Sequence, residues 1–430
     1  MFRQFLGALA LLLIAVGLAY FILMVGLGWP LARREVTGTP KRARQRYQPY
    51  FLIPCLNEAL VIEATIASVL AQTDGRVVVI DDGSEDGTGA RARRAGRGRV
   101  HVVRRDLPQA RRGKGAALNA GFAWVVAHVC RRGLDPANIL ICVMDADGRL
   151  SHGAVRQVMR LFDDPSVGGV QLPVRVRNRT SLITMMQDLE FWTLSAVAQL
   201  GRTRTATVSL GGNGQFTRLS ALLGLGREPW SDSLTEDLDL ALKLAAKGWR
   251  LTSTPAAHVS QQAVTSWRRL IRQRTRWYQG TITCSGRLGE LWRSPHLSNP
   301  AVLELTLYLL VPTLLVLPWS VVFHLVLVDL VAHIGRPPPF TLLGSPVAGR
   351  VVLLFAWYLV SFAPNIVTGL MYARRDRRMG IWKALLLSHL LFPYQYVSYI
   401  ATWKAALRMV TGRRGWAKTE RSLETLPVGA

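Results

Sequence analysis

Four short polar groups follow one another along the chain: Asp81-Asp82-Gly83-Ser84, Asp145-Ala146-Asp147, Thr235-Glu236-Asp237, and Gln273 with Arg276-Trp277. Their residue types suit one kind of chemistry. Aspartates can hold a base, a ribose or a divalent cation. A further carboxylate can take a proton from a hydroxyl, and a guanidinium fork fits a departing diphosphate. Together these are the demands of a nucleotide sugar.

Each group also has a plainer reading. Asp81 and Asp82 close the apolar run Val77–Ile80. Adjacent carboxylates repel unless donors or a cation face them, and a uracil N–H and ribose hydroxyls are suitable donors; an Asx turn is the alternative. Asp145 and Asp147 follow Ile139–Met144. Side chains at i and i+2 share one side of an extended backbone, so both can face one hard ion, Mg²⁺ or Mn²⁺, with phosphates completing its shell. A solvated acidic loop would look the same. Glu236 and Asp237 open an amphipathic helical pattern, Leu238–Lys247, where acids serve as caps. As a general base we place Asp237 ahead of Glu236, a choice that spacing alone does not decide.

The segment Trp267–Tyr278 is dense in arginine and aromatics. A cationic helix on the membrane surface, most of its arginines toward lipid, accounts for much of it. Gln273, Arg276 and Trp277 are the candidates for the site, Arg276 on a diphosphate and Trp277 on a sugar face. Gly113-Lys114-Gly115 lacks the spacing of a phosphate-binding P-loop, yet a lysine opening a helix reaches a diphosphate. Gly211-Gly212-Asn213-Gly214 is too glycine-rich for a regular element. It is a plain turn or a close backbone approach to substrate, which makes Asn213 and Gly214 candidate acceptor contacts.

The elements that must position these groups are legible as a pattern. Short apolar runs, Tyr50–Pro54, Val77–Ile80, Ile139–Met144 and a weaker Val100–Val103, alternate with helical patterns at Glu58–Ala71, Lys114–Arg131 and His152–Phe162. Strands alternating with amphipathic helices predict a parallel α/β sheet, with ligands at the carboxyl ends of its strands. Pro54, Asp81 and Asp145 fall there.

With 430 residues, 50% hydrophobic and 19% charged, the chain is too apolar for an ordinary soluble enzyme and too charged to lie wholly in a membrane. Residues 5–29 are long enough to cross a bilayer, and Trp29-Pro30 before Arg33-Arg34 is no cleavage site. Apolar stretches resume at 301–334, as one tilted span or a hairpin around Pro318, at 350–372, and at 382–410, broken by Phe392-Pro393-Tyr394. The net charge of +26 invites a nucleic-acid partner, but the arginine runs at 33–46 and 374–378 flank apolar segments and so mark a cytoplasmic face. Basic residues at 413–421 ask for the same side, which makes 382–410 a re-entrant or interfacial segment. The four cysteines, Cys55, Cys130, Cys142 and Cys284, form no metal or redox motif and read as buried reduced thiols. The expected organisation is a span at 1–32, a basic linker at 33–47, a catalytic domain at 48–260, interface helices at 261–298, spans and a re-entrant part at 299–410, and a tail at 411–430.

With these residues in order, the chain resembles the family 2 membrane glycosyltransferases, a group that includes cellulose, chitin, hyaluronan and poly-N-acetylglucosamine synthases. The likeness rests on Pro54-Cys55-Leu56-Asn57-Glu58, Asp81-Asp82-Gly83-Ser84, Lys114-Gly115, Asp145-Ala146-Asp147, Thr235-Glu236-Asp237 and Gln273-Arg274-Thr275-Arg276-Trp277. It implies a GT-A fold and an inverting transfer. Pro54, Asn57, Glu58, Asp81, Asp82, Lys114 and Asp145 would then hold a nucleotide sugar, Asp82 on uracil. Asp145 and Asp147 would hold Mg²⁺ or Mn²⁺, Asp237 would be the base, and Gln273, Arg276 and Trp277 would hold the diphosphate and acceptor sugar. The implied donor is UDP-linked, of glucose or N-acetylglucosamine type. The acceptor is a growing β-glycan exported through the spans, or a lipid that receives one sugar. A multi-pass place in the inner or plasma membrane and accessory subunits belong to the same expectation. Leu56 stands where many members have Tyr, and Gly211–Gln215 is not the cysteine-containing loop of cellulose and hyaluronan synthases.

Overall fold

Alternating residues of the predicted strands turn to opposite faces of one sheet, and both faces are buried. Phe51, Ile53, Val77, Val79, Leu140 and Cys142 enter one core; Tyr50, Leu52, Val78, Ile80, Ile141 and Val143 enter the other. This computed structural model describes residues 2–33, 46–96, 98–332 and 346–413. Most of the expected linker and tail, 34–45 and 414–430, lies outside the described residues.

The strands are β1 (Gln48–Cys55), β2 (Arg76–Asp81), β3 (Val100–Arg104), β4 (Ile139–Val143), β5 (Arg149–Leu150), β6 (Val167–Gln171), β7 (Val174–Val176), β8 (Gln215–Arg218), β9 (Arg250–Ser253) and β10 (Val259–Gln261). Seven form one sheet in the order β3-β2-β1-β4-β8-β6-β9, and three form a small sheet, β5-β10-β7. The large sheet is parallel except for β8, which runs antiparallel to both β4 and β6. The sheet is thus parallel-rich with flanking helices, as expected, and β8 is its reversed strand. β8 reads Gln-Phe-Thr-Arg, and its place is set by pairing with buried neighbours rather than by an apolar run.

Helices fill the crossovers. Lys114–Arg131 starts and stops where the pattern placed it, and Ile62–Leu70, Ala154–Leu161 and Glu236–Ala246 fall inside or beside their predicted ranges. A longer helical run was not foreseen: Leu182–Leu189, a π turn at Glu190–Ser195, and Ala196–Arg202.

Among the described residues, three helices are long and apolar enough to cross a membrane: Gln4–Ala32, Asn299–Asp329 and Val347–Arg375. The second runs through Pro318 without a hairpin; its irregularity is a π turn at Val311–Val316, where Pro312 removes a backbone donor. The 382–410 stretch divides at Leu390 into Ile381–His389 and Leu391–Val410, with Pro393 in the tolerant first turn of the latter. Leu391–Val410 lies along Trp267–Cys284, and Arg408 Nε donates to Gln279 Oε1 at 2.8 Å.

The first helix crosses Ala196–Arg202 at very close range. A Cβ built on Gly28 would stand 1.9 Å from Val197 O, and one on Gly201 would stand 2.8 Å from Met24 O. Beside this crossing Arg202 pairs with Glu304 at 2.8 Å, both buried. Thr207 Oγ1 and Tyr20 Oη donate to the same carboxylate at 2.6 and 3.3 Å. Cys55, Cys142 and Cys284 are buried and in no disulfide, whereas Cys130 is exposed, since it faces outward near the end of Lys114–Arg131.

Candidate active site

One cavity of about 360 Å³ opens at the carboxyl ends of β1, β2 and β4. Its wall takes Asp82 after β2, Asp145 after β4, Lys114 from the first turn of its helix, and Glu236 and Asp237 from the first turn of theirs. Gln273, Arg276 and Trp277 reach it from Trp267–Cys284. Residues separated by up to 195 positions therefore share one space.

At its centre lies a charge cluster. Lys114 Nζ is 2.7 Å from Asp145 Oδ1 and 3.7 Å from Glu236 Oε1, and it donates to Gly212 O at 3.2 Å. Burial opposes the lysine's charge, but Asp145, Glu236 and Asp237 outweigh it and raise its pKa. Burial pushes the Glu236 carboxyl up and Asp237 adds to the shift, with Lys114 and Arg276 opposing. Asp237 is raised for the same first reason. Its Oδ1 accepts from Leu238 N at 2.8 Å, so one oxygen satisfies a first-turn N–H and the other can serve a ligand.

Gly212 backs onto this cluster. At φ +68° it holds the left-handed conformation, and a Cβ there would lie 2.8 Å from both Asp237 Oδ2 and Lys114 Nζ. The glycine-rich segment is thus a close approach to the site, made by Gly212. Gly211 lines the cavity. Asn213 and Gly214 stand behind it: Asn213 Oδ1 accepts from Asp145 N at 3.2 Å and its Nδ2 donates to Gln261 at 2.8 Å, while Gly214 packs on Val259 and Leu172. Their place is one of support for the Asp145 loop.

The nucleotide end is built from two loops stitched together. Asn57, at φ +52°, donates its N–H to Ser84 Oγ at 3.0 Å and accepts from Glu85 N at 2.8 Å. Glu58 N donates to Thr88 Oγ1 at 2.8 Å. Pro54, Leu56 and Glu58 face the cavity. Asp81 is buried and turned away, accepting from Ser84 N at 3.0 Å and Arg104 at 2.8 Å. Asp82 faces the cavity with Arg105 at 2.5 Å; burial raises its pKa and Arg105 opposes.

Asp145 and Asp147 differ in setting. Asp145 lines the cavity, whereas Asp147 is 1% exposed and accepts from Gln262 N at 2.9 Å. No group of three His, Cys, Asp or Glu side chains gathers as a metal site among the described residues. The two carboxylates therefore do not share one open face as their spacing predicts; Asp145 is the one on the cavity, and Mg²⁺ or Mn²⁺ can take a single carboxylate and complete its shell with phosphates and water.

Two features escaped sequence reasoning. Arg274, expected toward lipid, is 6% exposed and pairs with Glu190 at 2.7 Å, its guanidinium 4.2 Å from the Trp277 ring centroid. It fixes the indole. Phe191, Ser195 and Gln199, from the unforeseen helical run, complete the wall with Tyr308. Carboxylates in an otherwise apolar helix, Asp188 and Glu190, were the available signal.

Comparison with known proteins agrees with this arrangement. The family described as "Glycosyltransferase like family 2" matches residues 48–280. Poly-beta-1,6-N-acetyl-D-glucosamine synthase of Staphylococcus aureus (strain COL) is 30% identical over 236 residues, 54% of this chain and 53% of that protein. The probable glycosyltransferase YdaM of Bacillus subtilis (strain 168) is 30% identical over 239 residues, covering 53% and 54%. The matched region is about half the length of these curated relatives. The structure of mannosyltransferase PcManGT from Pyrobaculum calidifontis, in complex with GDP-Man and Mn²⁺, superposes with a TM-score of 0.60 at 18% identity, over 95% of this chain and 99% of that one. It shares the fold, a GT-A-type sheet with flanking helices.

Proposed function

Because the chain belongs to glycosyltransferase family 2, we propose that it moves a hexosyl group from a nucleotide sugar to an acceptor hydroxyl with inversion, at the cytoplasmic face of a membrane. One observation carries the reading: a single cavity holds Asp82, Lys114, Asp145, Asp237 and Arg276.

In this reading Asp82 accepts a base N–H, and Pro54 and Glu58 border the base and ribose. Lys114 and Arg276 face the diphosphate. Asp145, with Asp147 behind it on the same loop, would hold the divalent ion, which neutralises phosphate charge when bound. Asp237 takes the proton of the attacking hydroxyl as it adds to the anomeric carbon opposite the diphosphate. The leaving diphosphate gains charge, and Arg276 stabilises it there. Trp277, held by Arg274, offers its face to the acceptor sugar, and the buried, unpartnered Gln273 Oε1 offers an acceptor for a sugar hydroxyl. Glu236 keeps Lys114 in place.

The named relative at 30% identity supports N-acetylglucosamine as the transferred sugar and a β-linked polymer as product. Three helices long enough to span support a multi-pass protein. Exposed Arg374, Arg377 and Arg378 beside the last of them support a cytoplasmic domain. The docking of Leu391–Val410 along Trp267–Cys284 supports an interfacial place for 382–410.

The test is purified full chain in detergent with Mn²⁺ and a panel of UDP- and GDP-sugars, reading nucleotide release and product size. UDP release with a ladder of products is expected. A single lipid-extractable product would turn the assignment to one-step transfer. No nucleotide release from any donor would overturn the reading.

A further inference from the structure

Trp192 lies in the π turn Glu190–Ser195, next to Phe191 of the cavity wall, and is 8% exposed. Two guanidiniums flank its ring. Arg175 Cζ stands 4.8 Å and Arg375 Cζ 4.2 Å from the ring centroid. His258 meets the same ring edge-on at 5.4 Å.

The local charges do not balance. Asp188 and Asp376 face Arg175 and Arg179, with Arg175 Nε 3.7 Å from Asp188 and Arg179 Nη1 3.4 Å from it; Asp376 is in close contact with both arginines. Arg375 pairs with no carboxylate among the described residues. His258 adds no charge: burial, then Arg175 and Arg375, push its pKa down to about 4. Three guanidiniums against two carboxylates leave one positive charge. Arg375 Nη1, Arg175 Nε and Trp192 Nε1 are buried N–H donors without hydrogen-bond partners. A buried cation and three idle donors are costly unless an anion joins them.

A phosphodiester carries one negative charge and two free oxygens, which matches that surplus. Arg375 is the last residue of the helix Pro346–Arg375 and keeps part of its side chain exposed. If that helix spans, its end stands at headgroup depth. Exposed Arg374, Arg377 and Arg378 around it would repel a cationic headgroup and attract an anionic one.

We propose that Arg175, Arg375 and Trp192 form a phosphate site filled by the headgroup of an acidic phospholipid, with Trp192 on the helical run that also supplies the cavity wall. The inference rests on the bilayer placement above and not on the reaction.

The test places the full chain in phosphatidylcholine nanodiscs, in nanodiscs with part of that lipid replaced by phosphatidylglycerol, and in phosphatidylcholine with millimolar inorganic phosphate. Thermal unfolding and lipid retained in native mass spectrometry are the readouts. Phosphatidylglycerol is expected to raise the Tm and to be retained. Arg375→Gln should retain it at least about tenfold less, the loss of one charge-assisted hydrogen bond. Arg227→Gln, an exposed arginine outside this cluster, should behave as wild type. Trp192→Phe keeps the ring and removes the N–H, and it should weaken retention even if Arg375→Gln does not fold. A response to inorganic phosphate that Arg375→Gln abolishes would support the anion site with free phosphate as its source. Equal responses in wild type and both site variants, or no response in wild type, would overturn the proposal. No readout involves sugar transfer, so its failure is separate from failure of the proposed reaction.

Discussion

Replacing Gly212 by Ala puts a methyl group where the structure has no room for one. The new Cβ would lie 2.8 Å from Asp237 Oδ2 and Lys114 Nζ, against 3.4 Å for ordinary contact, so both side chains must withdraw by about 0.6 Å. A displacement approaching an ångström at a reacting group costs up to roughly a hundredfold in rate, so kcat should fall about ten- to a hundredfold. Left-handed φ adds backbone strain of about 1–2 kcal/mol for a residue with a Cβ. Gly153→Ala separates the two effects, since Gly153 is also left-handed at φ +72° but has nothing within 4 Å. It should lose stability and keep its kcat. Nucleotide release from purified protein gives kcat; calorimetry with UDP reads the displacement of Lys114 separately and should show a weaker Kd, because that side chain faces the diphosphate in the proposed reading. Wild-type kcat in Gly212→Ala would refute the inferred contact between this loop and the base.

Asp237→Asn should lower kcat roughly a hundred- to ten-thousandfold while UDP still binds, as expected for loss of a general base; unchanged turnover would move the role to another group. The base works ionised and burial raises its pKa, so activity should fall as pH drops through a value above the ordinary carboxylate range. A pH–rate profile flat down to that range would contradict the assignment. Glu304→Gln leaves Arg202 buried without its partner and should cost about 3–5 kcal/mol of stability, visible as a lowered Tm. A Tm within a degree or so of wild type would show that this pair does not hold the helices together.

Much of the site was readable because its acids end strands or open helices, and these elements have strong local signatures. Asp82, Asp145 and Asp237 needed only an apolar run or an amphipathic period beside them. The helix Lys114–Arg131 was legible to the residue for the same reason. What escaped depends on partners far along the chain. Arg274 looks like its exposed neighbours Arg268 and Arg272 until Glu190, 84 positions away, takes its guanidinium. Strand β8 has no period of its own and exists through its pairing with β4 and β6. Gly212 was noticed only as part of a glycine-rich stretch, because which glycine meets the catalytic groups depends on tertiary approach.

The contact of Gly28 with Val197 and Gly201 leaves no lubricating layer between the first apolar helix and the helix that carries Gln199 into the cavity. Any tilt of that helix, such as a thinner bilayer imposes, is passed directly to the wall beside the substrate. Turnover in this protein should therefore track acyl-chain length, making the hydrocarbon thickness of its host membrane a control on catalytic rate.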